Sequence, residues 1–176
     1  MSTPSSNTKQ ELLNNLFTSF LTGIRAKKSA QPREWLEKRE LSYNDLQIGF
    51  NSGQFHHRKD EQFRQGYVEI GVLKESDAPV KEEGMKAYTC FGHYGIVFPL
   101  KDEQGEIVNL FAIRIKVKND NPVYLNQDGL YPSYPNQFTK RLFNTQTVMD
   151  AVSLLQSKVL ERGDEVLALF EGIVML

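Results

Sequence analysis

Apolar residues recur at helical spacing in the first half of the chain. From Lys9 to Arg25, the leucine, phenylalanine and isoleucine positions form one continuous stripe, which predicts an amphipathic helix. Pro32 suits the first turn of a second helix through Arg33 to Arg39, and the segment from Glu61 to Leu73 repeats the same spacing. The first half of the chain is therefore predicted to be largely helical.

The pattern changes to strand-like alternation in the centre. Apolar residues alternate up to Leu100, Lys101 to Gly105 is a polar turn, and Glu106 to Val117 returns as a long strand. This predicts an antiparallel hairpin from Gly95 to Lys118. Since side chains alternate along a strand, its outer half carries three cations on one face, namely Arg114, Lys116 and Lys118.

The last third has the spacing of one βαβ unit. A strand is predicted from Arg141 to Thr145, a helix from Thr147 to Ser157, and a fully apolar strand from Val166 to Phe170. We expect the two strands to be parallel neighbours, because a helix crossover joins them. The whole pattern predicts an α+β fold with N-terminal helices, a central antiparallel hairpin and a C-terminal βαβ unit.

Composition limits the class of protein and its cellular environment more than it limits the function. The chain has 176 residues, 40% of them hydrophobic, which predicts one domain with a helical lead. A net charge of -1 does not indicate a polyanion partner, so any nucleic-acid contact must come from a local patch. Cys90 is the single cysteine, which excludes an internal disulfide and a cysteine-rich zinc site. No apolar run approaches the roughly 20 residues of a membrane span. We expect a cytoplasmic protein with no membrane partner.

The basic face of the predicted hairpin has two interpretations. Three cations on one sheet face are typical of a surface that follows the phosphates of a nucleic acid. The alternative is the solvated face of a strand that is buried on its other side only.

The segment that follows the hairpin combines aromatic residues with prolines. It contains Tyr124, Tyr131, Tyr134 and Phe138, and it ends in Lys140 and Arg141. Aromatic rings that stack on bases, beside cations that pair with phosphates, suit single-stranded nucleic acid. The alternative is a rigid loop packed on its own domain.

Other chemistry-bearing residues do not form a pattern. His56 and His57 are adjacent and rarely bind one metal together, while Cys90 and His93 lack two further ligands, so a structural role is predicted for all four. The sequence contains no nucleophile elbow and no glycine-rich phosphate loop.

Four segments, taken in order, resemble the catalytic core of DnaG-type bacterial DNA primases. REWLEKRELSYNDLQIGFNSG (33–53) is similar to the helix, turn and glycine-aromatic segment that open that core. GIVFPLKDEQGEIVNLFAIRI (95–115) resembles its Phe-Pro hairpin ending in arginine, and VYLN (123–126) its Lys-Tyr-Leu-Asn. VMDAVSLLQ (148–156) resembles the first helix of the TOPRIM domain in that family. The closest similarity is to primase-like proteins of mobile elements.

The resemblance implies an organisation and a set of contacts. It divides the chain into a tail and amphipathic helix (1–30), a domain like the N-terminal part of the primase core (31–140), and a partial TOPRIM-like βαβ unit (141–176). The matching residues, with the basic positions, are the implied nucleic-acid contacts: Arg114, Lys116, Lys118, Tyr124, Asn126, Lys140 and Arg141. Val123 stands where the family has a lysine, which weakens this transfer at Tyr124 and Asn126.

The TOPRIM part departs from the family pattern. Gln146 stands where the family has a glutamate that serves catalysis or metal binding, and the chain contains no Asp-x-Asp pair. A second alignment places Glu171 and Gly172 at the family's Glu-Gly, which makes Val166 to Phe170 the first TOPRIM strand. The first alignment is preferred because a helix follows Gln146. In both alignments the metal site is incomplete, so no catalytic residue, metal ligand or cofactor is expected here, and Mg²⁺ only where a complete TOPRIM domain follows.

Two classes of function therefore remain open. The first is the non-catalytic part of a primase-like protein, which binds single-stranded DNA weakly in DNA replication or mobile-element mobilisation, alongside replication or mobilisation proteins. The second is a catalytically dead module for protein-protein interaction. A third arrangement is the first half of an active primase that continues past Leu176.

Overall fold

The computed structural model describes residues 6–79, 86–116 and 122–168. These residues form an α+β fold, as predicted, with four α-helices and eight β-strands. The helices are α1 (Ser6–Arg25), α2 (Ala30–Glu37), α3 (Glu61–Glu69) and α4 (Val148–Gln156). The strands are β1 (Gly49–Asn51), β2 (Leu73–Ser76), β3 (Ala87–Cys90), β4 (Gly95–Lys101), β5 (Ile107–Arg114), β6 (Val123–Tyr124), β7 (Arg141–Thr145) and β8 (Asp164–Ala168). None of the described helices is long and apolar enough to cross a membrane.

The central antiparallel hairpin of β4 and β5 is confirmed and lies in the middle of a four-stranded sheet of order β1-β4-β5-β6. Both faces of this hairpin are covered. Val97 and Leu110 pack against α1 and α3, while Phe98 and Phe111 pack against α2, α4 and β8. Along β5, Asn109 to Ile113 are buried, whereas Arg114 at the outer end is exposed. Strands covered on both faces read as nearly continuous apolar runs, and FPL and LFAI in this hairpin do so.

Strand β5 ends earlier than the sequence pattern predicts. Gly95 is the first residue of β4 and pairs with Arg114, so β4 provides no pairing partner for residues after Arg114. Lys116 lies beyond the strand, with its Nζ atom 3.6 Å from the centre of the Tyr94 ring. Of the three residues predicted to form a basic strand face, Arg114 lies on the strand and Lys116 does not. Lys118 lies outside the described residues.

Helix α3 also ends before the predicted position. Gly71 has φ of +79° and its N–H donates to the Val68 carbonyl, while the N–H of Val72 donates to the Tyr67 carbonyl. This pair of bonds is the Schellman motif, which closes a helix with a left-handed residue. Leu73, predicted as the end of the helix, instead opens β2, which pairs antiparallel with β3.

The C-terminal βαβ unit is confirmed within the described residues. β7 and β8 are parallel neighbours, with Phe143 opposite Val166, and α4 joins them. Thr147 caps α4, since its Oγ1 accepts a hydrogen bond from the Asp150 N–H at 3.1 Å. A β-bridge between Tyr131 and Ala168 connects β8 to the segment that follows β6.

Candidate nucleic-acid interface

A cleft of about 870 Å³ opens where four segments meet. Its walls are the loop after β1 (52–57), the β2–β3 hairpin, the loop between β3 and β4 (91–94), and the adjoining ends of β5 and β6. The volume lies within the range of ligand-binding clefts, which bury a large part of what they hold. Segments distant in sequence therefore build one concave surface.

Asn51, at the end of β1, ties two walls of the cleft together. Its side chain is buried, and its Nδ2 donates to the Phe91 carbonyl at 2.7 Å and contacts the Cys90 sulfur at 3.2 Å. Its Oδ1 accepts from the Gly53 N–H at 2.8 Å. Gly53 has φ of +80° and lies against the His93 ring, where a Cβ atom would overlap it. Asn51 was not among the residues predicted from the sequence, although Asn-Ser-Gly after a strand is a recognisable Asx-turn signal.

The charge of the cleft differs from that of the chain. The 17 described residues that line it include Lys74 and Arg114, both exposed, and not one aspartate or glutamate. The whole chain carries 22 acidic residues against 21 lysines and arginines, so a lining of this size would contain about two acidic residues if they were spread evenly. The cleft is thus a local cationic surface on a nearly neutral chain, and it favours an anionic ligand.

All three histidines of the chain line this cleft. His56 is 7% exposed, with its ring 4.7 Å from the His57 ring and 6.1 Å from the Tyr88 ring. Burial, followed by the charges of His57, Arg64 and His93, lowers the pKa of His56 to about 4. His56 is therefore neutral at physiological pH, and its Nδ1 has no hydrogen-bond partner among the described residues.

The other two imidazoles, of His57 and His93, are exposed and line the same cleft. A structural role was predicted for all three histidines, and the buried ring of His56 has the environment of a packing residue. Within the described residues, no three His, Cys, Asp or Glu side chains converge closely enough to hold a metal ion.

Aromatic side chains supply the apolar part of the cleft. Tyr88, Phe91 and Tyr124 are each partly buried and line it. The Tyr88 hydroxyl donates to the Glu61 carboxylate at 2.8 Å, and the Tyr124 ring lies 5.0 Å from the Phe111 ring. These contacts hold the rings in place, so the cleft combines fixed aromatic surface with cations.

Cys90 lines the cleft as a free, partly buried thiol. Burial raises the pKa of the Cys90 thiol to about 11, so the reactive thiolate is scarce at neutral pH.

Two of the seven nucleic-acid contacts predicted from the sequence meet in the cleft. Arg114 is the last residue of β5 and Tyr124 the last of β6, and both line it. Asn126 instead holds the loop after β6, because its Nδ2 donates to the Val108 carbonyl at 2.9 Å and its Oδ1 accepts from the Asp128 N–H at 2.8 Å.

Two further predicted contacts, Arg141 and Lys140, have partners in the C-terminal βαβ unit. Arg141 pairs with Asp164 on β8 through Nε at 2.7 Å and Nη2 at 2.6 Å, and reaches Glu161 at 3.1 Å. Lys140 lies against Gly163, whose carbonyl accepts its N–H at 2.7 Å.

Of the positions that the two alignments assign to the TOPRIM glutamate, the structure describes only Gln146. Gln146 is exposed and directly follows β7, at the carboxyl end of a parallel strand. Glu171 and Gly172, which the second alignment uses, lie outside the described residues.

Comparison with known proteins defines the class of fold. No family model matches the sequence, and no curated protein matches it. Solved structures of DnaG-type primase catalytic cores do match, which supports the primase-like fold inferred from the sequence.

Three of these structures show the extent of the similarity. A DnaG primase catalytic domain bound to single-stranded DNA superimposes with a TM-score of 0.73 at 19% identity, over 92% of this chain and 53% of that one. The Escherichia coli primase catalytic core gives 0.68 at 19%, over 90% and 53%. The Aquifex aeolicus primase, with zinc-binding and RNA polymerase domains, gives 0.69 at 14%, over 95% and 43%. The chain thus spans about half the length of these solved primase chains.

Proposed function

We propose that this chain is the nucleic-acid-binding portion of a primase-like protein that acts in DNA replication or in mobilisation of a mobile element, in the cytoplasm. Single-stranded DNA is the proposed ligand, and the cleft beside Arg114 is its binding site. The observation that carries the proposal is a cleft with lysine, arginine and aromatic side chains and no acidic residue among its described lining.

The chemistry of the lining favours a single strand over a duplex. Lys74 and Arg114 are placed to neutralise phosphates, which supplies affinity without regard to sequence. Tyr88, Phe91 and Tyr124 offer ring surface to unpaired bases, and such stacking contributes roughly 1 to 3 kcal/mol per base. One of the structurally similar primase domains was solved with single-stranded DNA, which supports the same class of ligand.

In this proposal the chain binds and positions DNA without carrying out the chemistry. At Gln146, an amide replaces the carboxylate that the family uses, and an amide offers Mg²⁺ no negative charge. The second alignment, with Glu171 in that place, leaves a carboxylate but still one without the Asp-x-Asp pair. Replication or mobilisation proteins are the proposed partners of the DNA-bound chain.

Charge reversal in the cleft tests the proposal. In a fluorescence anisotropy titration of labelled single-stranded DNA at low salt, Lys74→Glu with Arg114→Glu is expected to weaken binding more than tenfold. The slope of log affinity against log salt concentration should become shallower by about 1.4, since each lost phosphate contact to a single strand removes about 0.7. The control reverses Lys38 and Arg162, two exposed cations outside the cleft, and makes the same change in net charge. Equal losses in both double variants, or no binding by the native chain, would refute the site.

One feature favours the protein-interaction alternative. Phe138 is 79% exposed, and Leu142, four positions further along the chain, is 40% exposed. The turn that carries Phe138 is held firmly, because the Thr139 hydroxyl and the Asn136 N–H both donate to the Glu165 carboxylate. A chain that fails to bind DNA, but loses a protein partner when Phe138 becomes serine, would establish this second function.

A further inference from the structure

His56 is a buried side chain in the wall of the cleft. Its ring meets three neighbouring rings edge to face, with centres 5.3 Å away at Phe55, 4.7 Å at His57 and 6.1 Å at Tyr88. The main chain around it is held as well, because the His57 N–H donates to the Gln54 carbonyl at 3.0 Å. These contacts fix the orientation of the imidazole relative to the cleft.

The two ring nitrogens of His56 have different surroundings. Nδ1 is enclosed and has no hydrogen-bond partner among the described residues. Nε2 is not enclosed in this way, and it makes no hydrogen bond to a described residue either. Because His56 is 7% exposed and lines the cleft, Nε2 is the nitrogen through which the ring can reach a ligand there. A buried polar side chain without a partner is uncommon in proteins and requires an explanation.

These surroundings determine which nitrogen of His56 carries the proton. Burial, followed by nearby charges, lowers the pKa of His56 to about 4, so the imidazole is neutral at physiological pH. A neutral imidazole has one N–H donor and one acceptor nitrogen. In proteins, a buried N–H without an acceptor is rarer than a buried acceptor without a donor, so Nδ1 is the acceptor and Nε2 carries the proton. The wall of the cleft thus contains a fixed, uncharged donor.

We propose that His56 recognises an unpaired base of the bound strand, by donating a hydrogen bond from Nε2 to an acceptor atom on the edge of that base. The proposal rests on the proposed function, because it concerns the same DNA in the same cleft. It adds a contact that depends on the base, whereas phosphate contacts from lysine and arginine carry no sequence information.

A base suits this donor better than a phosphate does. A phosphate placed against a buried, neutral group would lose water without gaining an opposite charge, which is costly. The edge of a base is uncharged, and aromatic side chains of the lining, such as Tyr88, offer surface on which its faces stack. The exposed cations of the cleft remain the contacts for phosphates.

Two probes of nearly the same shape test the proposal in anisotropy titrations at neutral pH. The first is a short thymidine oligonucleotide, and the second carries 2,4-difluorotoluene in place of each thymine, a ring that accepts hydrogen bonds poorly. His56→Phe should bind the thymidine probe roughly fivefold more weakly than the native chain does, which is the effect of one neutral hydrogen bond. Its affinity for the analogue should equal that of the native chain, which also shows that the variant is folded.

His57→Gln is the matched control, because it changes the neighbouring imidazole of the lining and should leave the ratio of the two affinities at its native value. Nitrogen NMR of the native chain requires no substitution and decides the question if His56→Phe does not fold. It should show the proton of His56 on Nε2, and that signal should shift when the thymidine probe is added but not when the analogue is.

Three outcomes are decisive against one claim or the other. Equal losses of affinity for both probes in folded His56→Phe would overturn the proposal, because the contact would then be to phosphate or the role purely structural. A proton on Nδ1 in the native chain would overturn it as well. In both cases the proposed function stands, whereas a native chain that binds neither probe would reject the proposed function itself.

Discussion

At the scale of single residues, Asn51 joins two walls of the cleft through its side-chain hydrogen bonds. Replacing it with alanine removes hydrogen bonds to Phe91 and Gly53 and leaves their buried backbone groups without this partner. Unsatisfied buried groups cost about 1 to 3 kcal/mol, so Asn51→Ala should lower the free energy of unfolding by about 2 kcal/mol in urea denaturation. Ser52→Ala, one position along, is the control and should change it little. Equal stabilities of the two variants would show that the side chain does not hold the loops.

The buried imidazole of His56 makes stability depend on pH. Its pKa is about 4 in the folded state against 6.5 in the unfolded chain, so the unfolded state binds more protons below pH 6.5. The destabilisation is absent above pH 6.5 and grows as the pH falls toward 4, reaching about 1 to 2 kcal/mol at pH 5. Thermal or urea unfolding at pH 7.5 and pH 5 measures it. His56→Leu should reduce the difference, and an unaltered difference would assign the pH dependence to other groups.

At the scale of elements, Gly71 decides where α3 ends and β2 begins. Its φ of +79° is costly for residues with a side chain, although a Cβ there has room, with only a Leu125 carbon at 4.0 Å. Gly71→Ala should therefore lower the free energy of unfolding by about 1 kcal/mol through backbone strain. Gly71→Asn should recover part of the loss, since asparagine tolerates this conformation better. If alanine and asparagine destabilise equally, steric contact rather than φ is responsible.

The elements also show which parts of the structure could be predicted from the sequence. The βαβ unit was predictable because its apolar runs, polar break and capping threonine are all local signals. The β2–β3 hairpin was not, because Leu73 continues the helical spacing of α3 and its pairing with Cys90 is set by a contact distant in sequence. Lys74 belongs to that missed hairpin, so the cleft could not be assembled from pattern alone. Arg114 was identified from the alternation of side chains along the predicted strand and Tyr124 from the aromatic segment after it, and the family resemblance added to both.

At the scale of the whole molecule, we expect DNA binding to be independent of divalent metal. The proposed contacts are side-chain cations, so chelation with EDTA at matched ionic strength should leave the affinity for single-stranded DNA unchanged within twofold. The same chain should not incorporate ribonucleotides on a template, because transfer chemistry requires an acidic constellation around Mg²⁺. Template-dependent incorporation, or a steep loss of binding on chelation, would contradict this assignment.

The cationic cleft has a consequence for how the molecule meets its ligand. Since the chain as a whole is slightly negative and the cleft is not, the surface outside the cleft must carry the excess of acidic charge. The lysine and arginine of the cleft therefore attract a polyanion at one place on a chain that is nearly neutral as a whole. Such local attraction raises the rate of productive encounters at the cleft. A protein with little net charge can in this way bind DNA at one surface without binding it non-specifically elsewhere.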